Sequence, residues 1–243
     1  QTARNWTALG IPGHGHPVES MVDPSGLLTP VPGGPSLDWW VRVEGGNLGL
    51  MSPGRRSAVI QSMQGGLPVV ATAYEADGMR VGSEVWAFPG EGGNWAAMQV
   101  VLFNIADLPL TGDFYFALRP YNPEGIAPLY TVAWDGNSLL ADGRAFLHPW
   151  PQPQGWAFSG LRQGDLFASG ADREPPLRNM TRFRPVQEGT GNGHMRDPHG
   201  LAHATLHFRF AIEPWEEAEF IAFMPLHAPR LTGPMRHLKP TSI

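Results

Sequence analysis

The chain contains no cysteine, which excludes disulfides and thiolate metal sites. It also has no run of about 18 consecutive apolar residues, the length a membrane-spanning helix needs, and its start does not resemble a signal peptide. With the absence of cysteine, this leads to an expectation of a cytoplasmic protein without a membrane partner. Charge is sparse, at 16% of residues, with a net charge of −5 and a pI near 6.0. Such a balance provides no basic face for a phosphate backbone, so nucleic acid is excluded as a partner. Motifs of covalent and phosphate chemistry are missing as well. No serine lies in a Gly-x-Ser-x-Gly elbow. The Gly-rich "GEGGN" at 90–94 runs into a strand pattern rather than a helix N-terminus, so it reads as a hairpin turn and not as an anion cradle. Helical periodicity, internal repeats and low-complexity tracts are scarce or absent.

What is present is a large apolar supply and a great deal of punctuation. Hydrophobic residues make up 42% of the 243, with nine Trp and twelve Phe, enough for one sizeable core. Thirty Gly and twenty-five Pro are spread without a period, as expected for many turns between many strands. Alternation with period two recurs along the chain. "WWVRVEG" (39–45) sets Trp39, Val41 and Val43 against Trp40, Arg42 and Glu44. "VVATAYEADGMRVGSEVWAF" (69–88) reads as two strands joined at Asp77-Gly78, residues that tolerate the positive φ of a type I′ turn. Segments 95–121, 129–148 and 202–226 each read as a further strand pair, the middle one carrying Asp-Gly turns at 135 and 142. These signals predict about ten to fourteen strands. They give an all-β, antiparallel two-sheet sandwich with few short helices. Residues 1–226 form its single domain, and residues 227–243 are a linker-like tail. Two Pro/Gly-rich stretches, 149–160 and 188–200, read as exposed loops. The chain opens on Gln1 rather than Met, and it is expected to be a piece of something longer.

Nine histidines raise the question of a metal. His199, His203 and His207 recur every four residues, which on a helix would align them for zinc. "HATLHFRF" instead alternates as a strand, with His203, Thr205, His207 and Arg209 on one side. On a strand, His203 and His207 stand ~13 Å apart, too far to share an ion. This is a polar sheet face, and the Gly-His-Gly-His-Pro segment at 13–17 offers no stronger case, so neither a metal nor another cofactor is expected. Clustered carboxylates in "PWEEAEF" (214–220), and Glu75, Asp77 and Glu84 around a hairpin, are read as solvated and not as acid–base pairs. Aromatic residues beside Pro/Gly segments, namely Trp39, Trp40, Trp150 and Trp156, are candidates for stacking on a sugar. Adjacent Trp on a strand point to opposite faces, so one of Trp39 and Trp40 belongs to the core.

The stretch "FYFALRPYNPEG" (114–125) begins as a strand and then breaks. Pro120 and Pro123 remove two ladder donors and force the strand out of its sheet. Arg119 and Glu124 are then expected to pair across the bend while Gly125 permits the reversal. The simplest role for the motif is to shape a corner. The alternative puts Arg119, Tyr121, Asn122 and Glu124 on a loop facing a sugar or a partner domain.

The succession of a strand ending in Phe-Asn, a short Asp/Leu connection, a strand closing on Arg-Pro-Tyr-Asn-Pro-Glu-Gly and an Asp-Gly hairpin resembles a known domain. It looks like the N-terminal β-supersandwich, galactose-mutarotase-like, of bacterial glucoamylase-like, debranching and phosphorylase glycoside hydrolases. The late segment 204–226 is similar to the way that domain closes. The resemblance covers about residues 18–226, and its distinctive part is Arg119 to Gly125. It implies a domain without catalytic residues, set before an (α/α)6 catalytic domain that this chain lacks, with that helical domain and an α-glucan-like carbohydrate as partners. Galactose mutarotases share the sandwich and use paired His with a Glu. Here His148 and His203 or His207, with Glu124 or Glu213, would have to serve, and their surroundings do not match that family's motifs. A mutarotase-like epimerase or lyase, and a free-standing carbohydrate-binding module, are the two alternatives.

Overall fold

The computed structural model describes residues 6–11, 20–46, 50–51, 59–63, 68–164 and 187–226. Among them are twenty strands, eight of only two or three residues, and no helix. The short strands account for the excess over the number expected. The short helices expected beside the sheets are not found among the described residues. The histidine segment at 13–17 and the tail at 227–243 lie outside them.

The strands form two nine-stranded sheets in which every paired strand is antiparallel. In spatial order the first comprises β1 (Thr7–Leu9), β2 (Ser20–Val22), β3 (Leu28–Thr29), β4 (Ser36–Val43), β10 (Leu110–Arg119), β19 (His203–Ile212), β16 (Gly155–Ser159) and β17 (Gln187–Gly189). Strand β5 (Leu50–Met51) pairs with β4 off this path. The second sheet runs β18 (Gly193–Arg196), β13 (Thr131–Trp134), β14 (Leu139–Ala141), β15 (Arg144–Trp150), β20 (Glu217–Pro225), β9 (Gly93–Asn104), β8 (Met79–Gly90), β7 (Val69–Ala76) and β6 (Ile60–Met63). A two-stranded hairpin of β11 (Tyr121–Asn122) and β12 (Gly125–Ile126) stands apart.

The sheets meet through their alternate apolar residues, so the period-two pattern sets the core. Leu37, Trp39, Val41, Phe114, Phe116 and Phe208 from the first sheet join Tyr74, Met98, Val100, Phe220 and Met224 from the second in one buried cluster. Trp39 stacks on Tyr74 at 5.7 Å between ring centroids, and Phe114 on Phe220 at 4.3 Å. These are contacts between sheets, and they hold the two layers in register.

Turn chemistry acts as the sequence predicts at two hairpins. Asp77 and Gly78 have φ of 49° and 75°, and Asp142 and Gly143 have 46° and 75°, so β7–β8 and β14–β15 close on type I′ turns. At Asp135 the turn is longer, since Trp134 pairs with Leu139. The Asp135 carboxylate accepts the backbone N–H groups of Asn137 and Ser138 there.

Two of the expected strand pairs are not pairs. β9 lies in the second sheet and β10 in the first, and likewise β19 lies in the first and β20 in the second. The connections 105–109 and 213–216 are therefore arches between the layers. Each carries a Pro and lacks a two-residue Gly turn, so neither can fold the chain straight back into the same sheet. Both arches are tied by buried Asn104. Its Nδ2 donates to Leu108 O and Ile212 O, its Oδ1 accepts from Ala106 N, and its carbonyl accepts from Trp215 N.

The two stretches expected as exposed loops each carry strand. Residues 149–150 end β15 and 155–159 form β16, while the second stretch holds most of β17 and all of β18. Trp156 explains the second case. Its ring stacks on Phe158 at 4.2 Å and its Nε1 donates to Gly191 O at 2.5 Å. Gly193 lies so close that a Cβ there would fall 2.1 Å from the indole.

Candidate functional site

Opposite the core, the first sheet presents a face of charged and aromatic side chains from β4, β10, β19 and β16. The alternation that packs Leu37, Trp39 and Val41 into the core turns Asp38, Trp40 and Arg42 to the opposite face, and the same parity on β10 sets Asp113, Tyr115 and Arg119 there, with Asp113 and Tyr115 still buried. The registers then set cross-strand rows. Trp40, Tyr115 and His207 face one another, as do Arg42, Asp113 and Arg209, and as do Asp38, Ala117 and Thr205.

Two ionic groups result. In the first, Asp113 Oδ1 accepts from His207 Nε2 at 2.6 Å, while Oδ2 pairs with Arg42 through Nη2 and through Nε at 3.1 Å. Tyr115 stacks on the His207 ring at 5.1 Å. Burial alone would raise the Asp113 carboxyl. The hydrogen bonds from His207 and Arg42, with the charges behind them, outweigh burial and hold it below the ordinary carboxylate range. Burial first, and then the charge of Asp113, push the Tyr115 phenol far above its usual value, so it stays protonated. Nε2 is the ring nitrogen committed to Asp113, and Nδ1 is the one that Asp113 does not engage. The side chain of His207 is 34% exposed and that of Asp113 3%, so the imidazole is reachable and the carboxylate beneath it is not.

In the second group, Asp38 Oδ2 accepts from Trp40 Nε1 at 2.8 Å and from Arg119 Nη1 at 3.0 Å. The Arg119 guanidinium lies over the Trp40 ring at 5.4 Å and over Tyr121 at 4.4 Å. Here desolvation prevails over Arg119 and the hydrogen bonds, and the Asp38 carboxyl is raised. At the rim Glu44 accepts from Thr111 Oγ1 at 2.7 Å and pairs with Arg209.

The structure distributes the sequence candidates unevenly. Trp39 and Trp40 are both buried, at 0% and 2% exposure, and Trp156 at 9%. None of the three offers an open ring: Trp39 packs on Tyr74 of the second sheet, Trp40 lies against Arg119, and Trp156 packs on Phe158 and Gly193. Trp150 is exposed at 53%, on the second sheet. The expected partner of Arg119 was Glu124, and the carboxylate that meets it is that of Asp38. Glu124 itself is exposed. Asn122 shapes the corner: its Oδ1 accepts the N–H groups of Glu124 and Gly125, and its Nδ2 donates to Gly34 O. Tyr121 covers Arg119. His148 bonds Ser138 on the other sheet, so it cannot join His203 or His207 across the core. Asp38, Arg42, Asp113 and Tyr115 are the members that sequence reasoning missed. Charged and aromatic residues alternating with the core residues of β4 and β10 marked them, but Arg42 and Asp113 are 71 residues apart, and nothing local announces their pairing. Among the described residues no group of three or more His, Asp or Glu is arranged to hold a metal ion.

Fold and site together define an antiparallel β-sandwich with paired charged and aromatic side chains on the outer face of one sheet. Compared with known proteins, the chain matches no family model, and no curated relative matches it significantly. Among the described residues no helix is long and apolar enough to cross a membrane.

Proposed function

We propose that the chain is an auxiliary, non-catalytic sandwich domain of a larger glycoside-hydrolase-like enzyme, and that it contacts saccharide through the outer face of its first sheet. The observation that carries this reading is the Tyr115–His207 stack flanked by the Arg42–Asp113 pair. The His207 imidazole, a third exposed and backed by the buried Tyr115 ring, stands beside fixed hydrogen-bonding groups on a rigid sheet and suits a ligand with apolar ring faces and a fringe of hydroxyls. The carboxylates of this face are already committed, Asp113 to Arg42 and His207, Asp38 to Arg119 and Trp40. That commitment favours binding over turnover, because a general acid must release and regain its proton near the working pH.

Calorimetric titration with glucose, maltose and longer α-glucans tests the reading. The chain binds at least one of them and releases no sugar, and His207→Ala weakens binding about tenfold, or ~1.4 kcal/mol. Unchanged affinity in His207→Ala, or glycosidase turnover by the chain alone, overturns it.

One observation favours a second reading, a mutarotase-like epimerase. An imidazole held by a buried carboxylate is the arrangement of an oriented general base. On that reading the chain accelerates the approach of α-glucose to its anomeric equilibrium in polarimetry, and His207→Ala returns the rate to that of buffer.

A further inference from the structure

Strands β17 and β18 lie close in sequence but in different sheets. Thr190, Gly191 and Asn192, all exposed, carry the chain from Gly189 of the first sheet, which pairs with Trp156, to Gly193 of the second, which pairs with Trp134. Trp156 fills the seam that this crossing closes. Its Nε1 donates to Gly191 O, and a Cβ at Gly189 or Gly193 would fall 2.8 Å or 2.1 Å from the indole. The backbone is thus packed against the ring from both strands, with no slack for an added atom. The seam also borders the His207 row, since Gly155 faces His207 across β16 and β19.

Asn192 is the only asparagine of the chain that is followed by glycine. The carboxamide of an asparagine is open to attack by the backbone nitrogen of the next residue, and a glycine there, lacking a Cβ, obstructs the approach least. Asn192 precedes β18 and stands outside its ladder. Asn137 is less favoured, because the N–H of Ser138 is held by the Asp135 carboxylate. We propose that Asn192–Gly193 is a site of spontaneous deamidation, and that conversion to isoaspartate unseats Trp156. Gly193 N bonds to Asn192 Cγ, the Cγ–Nδ2 bond breaks, and ammonia leaves with the proton of the Gly193 N–H. Water then opens the cyclic imide. Opening at the Cγ carbonyl gives aspartate; opening at the main-chain carbonyl gives isoaspartate, with the chain running through the former side chain. Isoaspartate inserts a methylene between Asn192 Cα and Gly193 N and leaves a carboxylate beside it. In a seam fitted to the indole, this displaces Gly191 O and breaks its bond from Trp156.

The test is to keep the full chain in mildly alkaline buffer, separate its products by chromatography and locate the change by peptide mass spectrometry. Deamidation is expected first at Asn192, with a mass gain that isomerisation at the Asp-Gly pairs of Asp77, Asp135 and Asp142 does not give. In the isoaspartate form the indole N–H of Trp156, assigned by NMR, is expected to exchange with deuterium at least tenfold faster than in the fresh chain. Asn192→Gln, whose longer side chain disfavours the same ring closure, is expected to keep its protection through the same incubation. An Asn192 that outlasts the other asparagines, unchanged exchange in the isoaspartate form, or an equal loss of protection in Asn192→Gln each overturn the proposal. None of these readouts involves saccharide, so the outcome is independent of the reading of the first sheet.

Discussion

Asp113 joins Arg42 on one oxygen and His207 on the other, and its depressed pKa ties stability to pH. In the unfolded chain the group takes up its proton near pH 4; in the folded state it does so only at lower pH. Between those values the unfolded state binds more protons. The stability from this group is thus complete above the ordinary carboxylate range and is lost as pH falls through the folded value. Asp38 is shifted the other way, so its contribution is greatest at low pH and fades as pH rises through its raised value. Thermal unfolding from pH 3 to pH 7 is expected to show a shallower acid limb in Asp113→Asn than in the parent. An identical limb would contradict the assignment. Asp38→Asn removes the carboxylate that pairs with Arg119 in a partly buried site and is expected to cost ~3 kcal/mol near pH 7 in denaturant titration. A steric prediction concerns Gly112. A Cβ there would stand 2.1 Å from Arg42 O and 2.6 Å from the Phe210 ring, so Gly112→Ala is expected to destabilise by ~2 kcal/mol or more.

At the scale of elements, the two arches between the sheets depend on a single side chain. Asn104→Ala removes the bonds to Leu108 O, Ile212 O and Ala106 N from a site with no access to water. The expected loss is ~3 kcal/mol, at about 1 kcal/mol per bond, read as an earlier urea midpoint with an unchanged slope. A loss under ~1 kcal/mol would mean that the arches hold without it. Elements are also where the sequence was most legible. The Asp77-Gly78 and Asp142-Gly143 hairpins could be read from two residues each, because positive φ restricts what can stand there. The arches could not. A strand followed by a short polar connection and another strand looks the same whether the second strand lies beside the first or in the facing layer. Stretches 149–160 and 188–200 were mistaken for loops for a related reason. Gly189 and Gly193 serve close packing against Trp156 rather than turning, and composition does not distinguish the two uses.

For the molecule as a whole, one core cluster joins both sheets, so the described sandwich is expected to unfold in a single transition. The Phe114–Phe220 stack measures that coupling. Each single change to Ala is expected to cost about 3–5 kcal/mol. The double variant should fall short of the sum by ~1 kcal/mol, the worth of the ring pair itself. Strict additivity would place the two rings in independent units. The fold class was legible at this scale because period two pervades the chain. The ionic and aromatic face of the first sheet was not, because it is assembled from β4, β10 and β19, whose adjacency follows from long-range pairing. Strand β6 has a further consequence. It ends the second sheet among the described residues, with Ile60 at 73% and Met63 at 58% exposure, and β-strand borders of this kind template pairing with other chains. Under conditions that loosen the sandwich, fibrillar self-association should start at this border, and Ile60→Lys should lengthen the lag before thioflavin fluorescence rises.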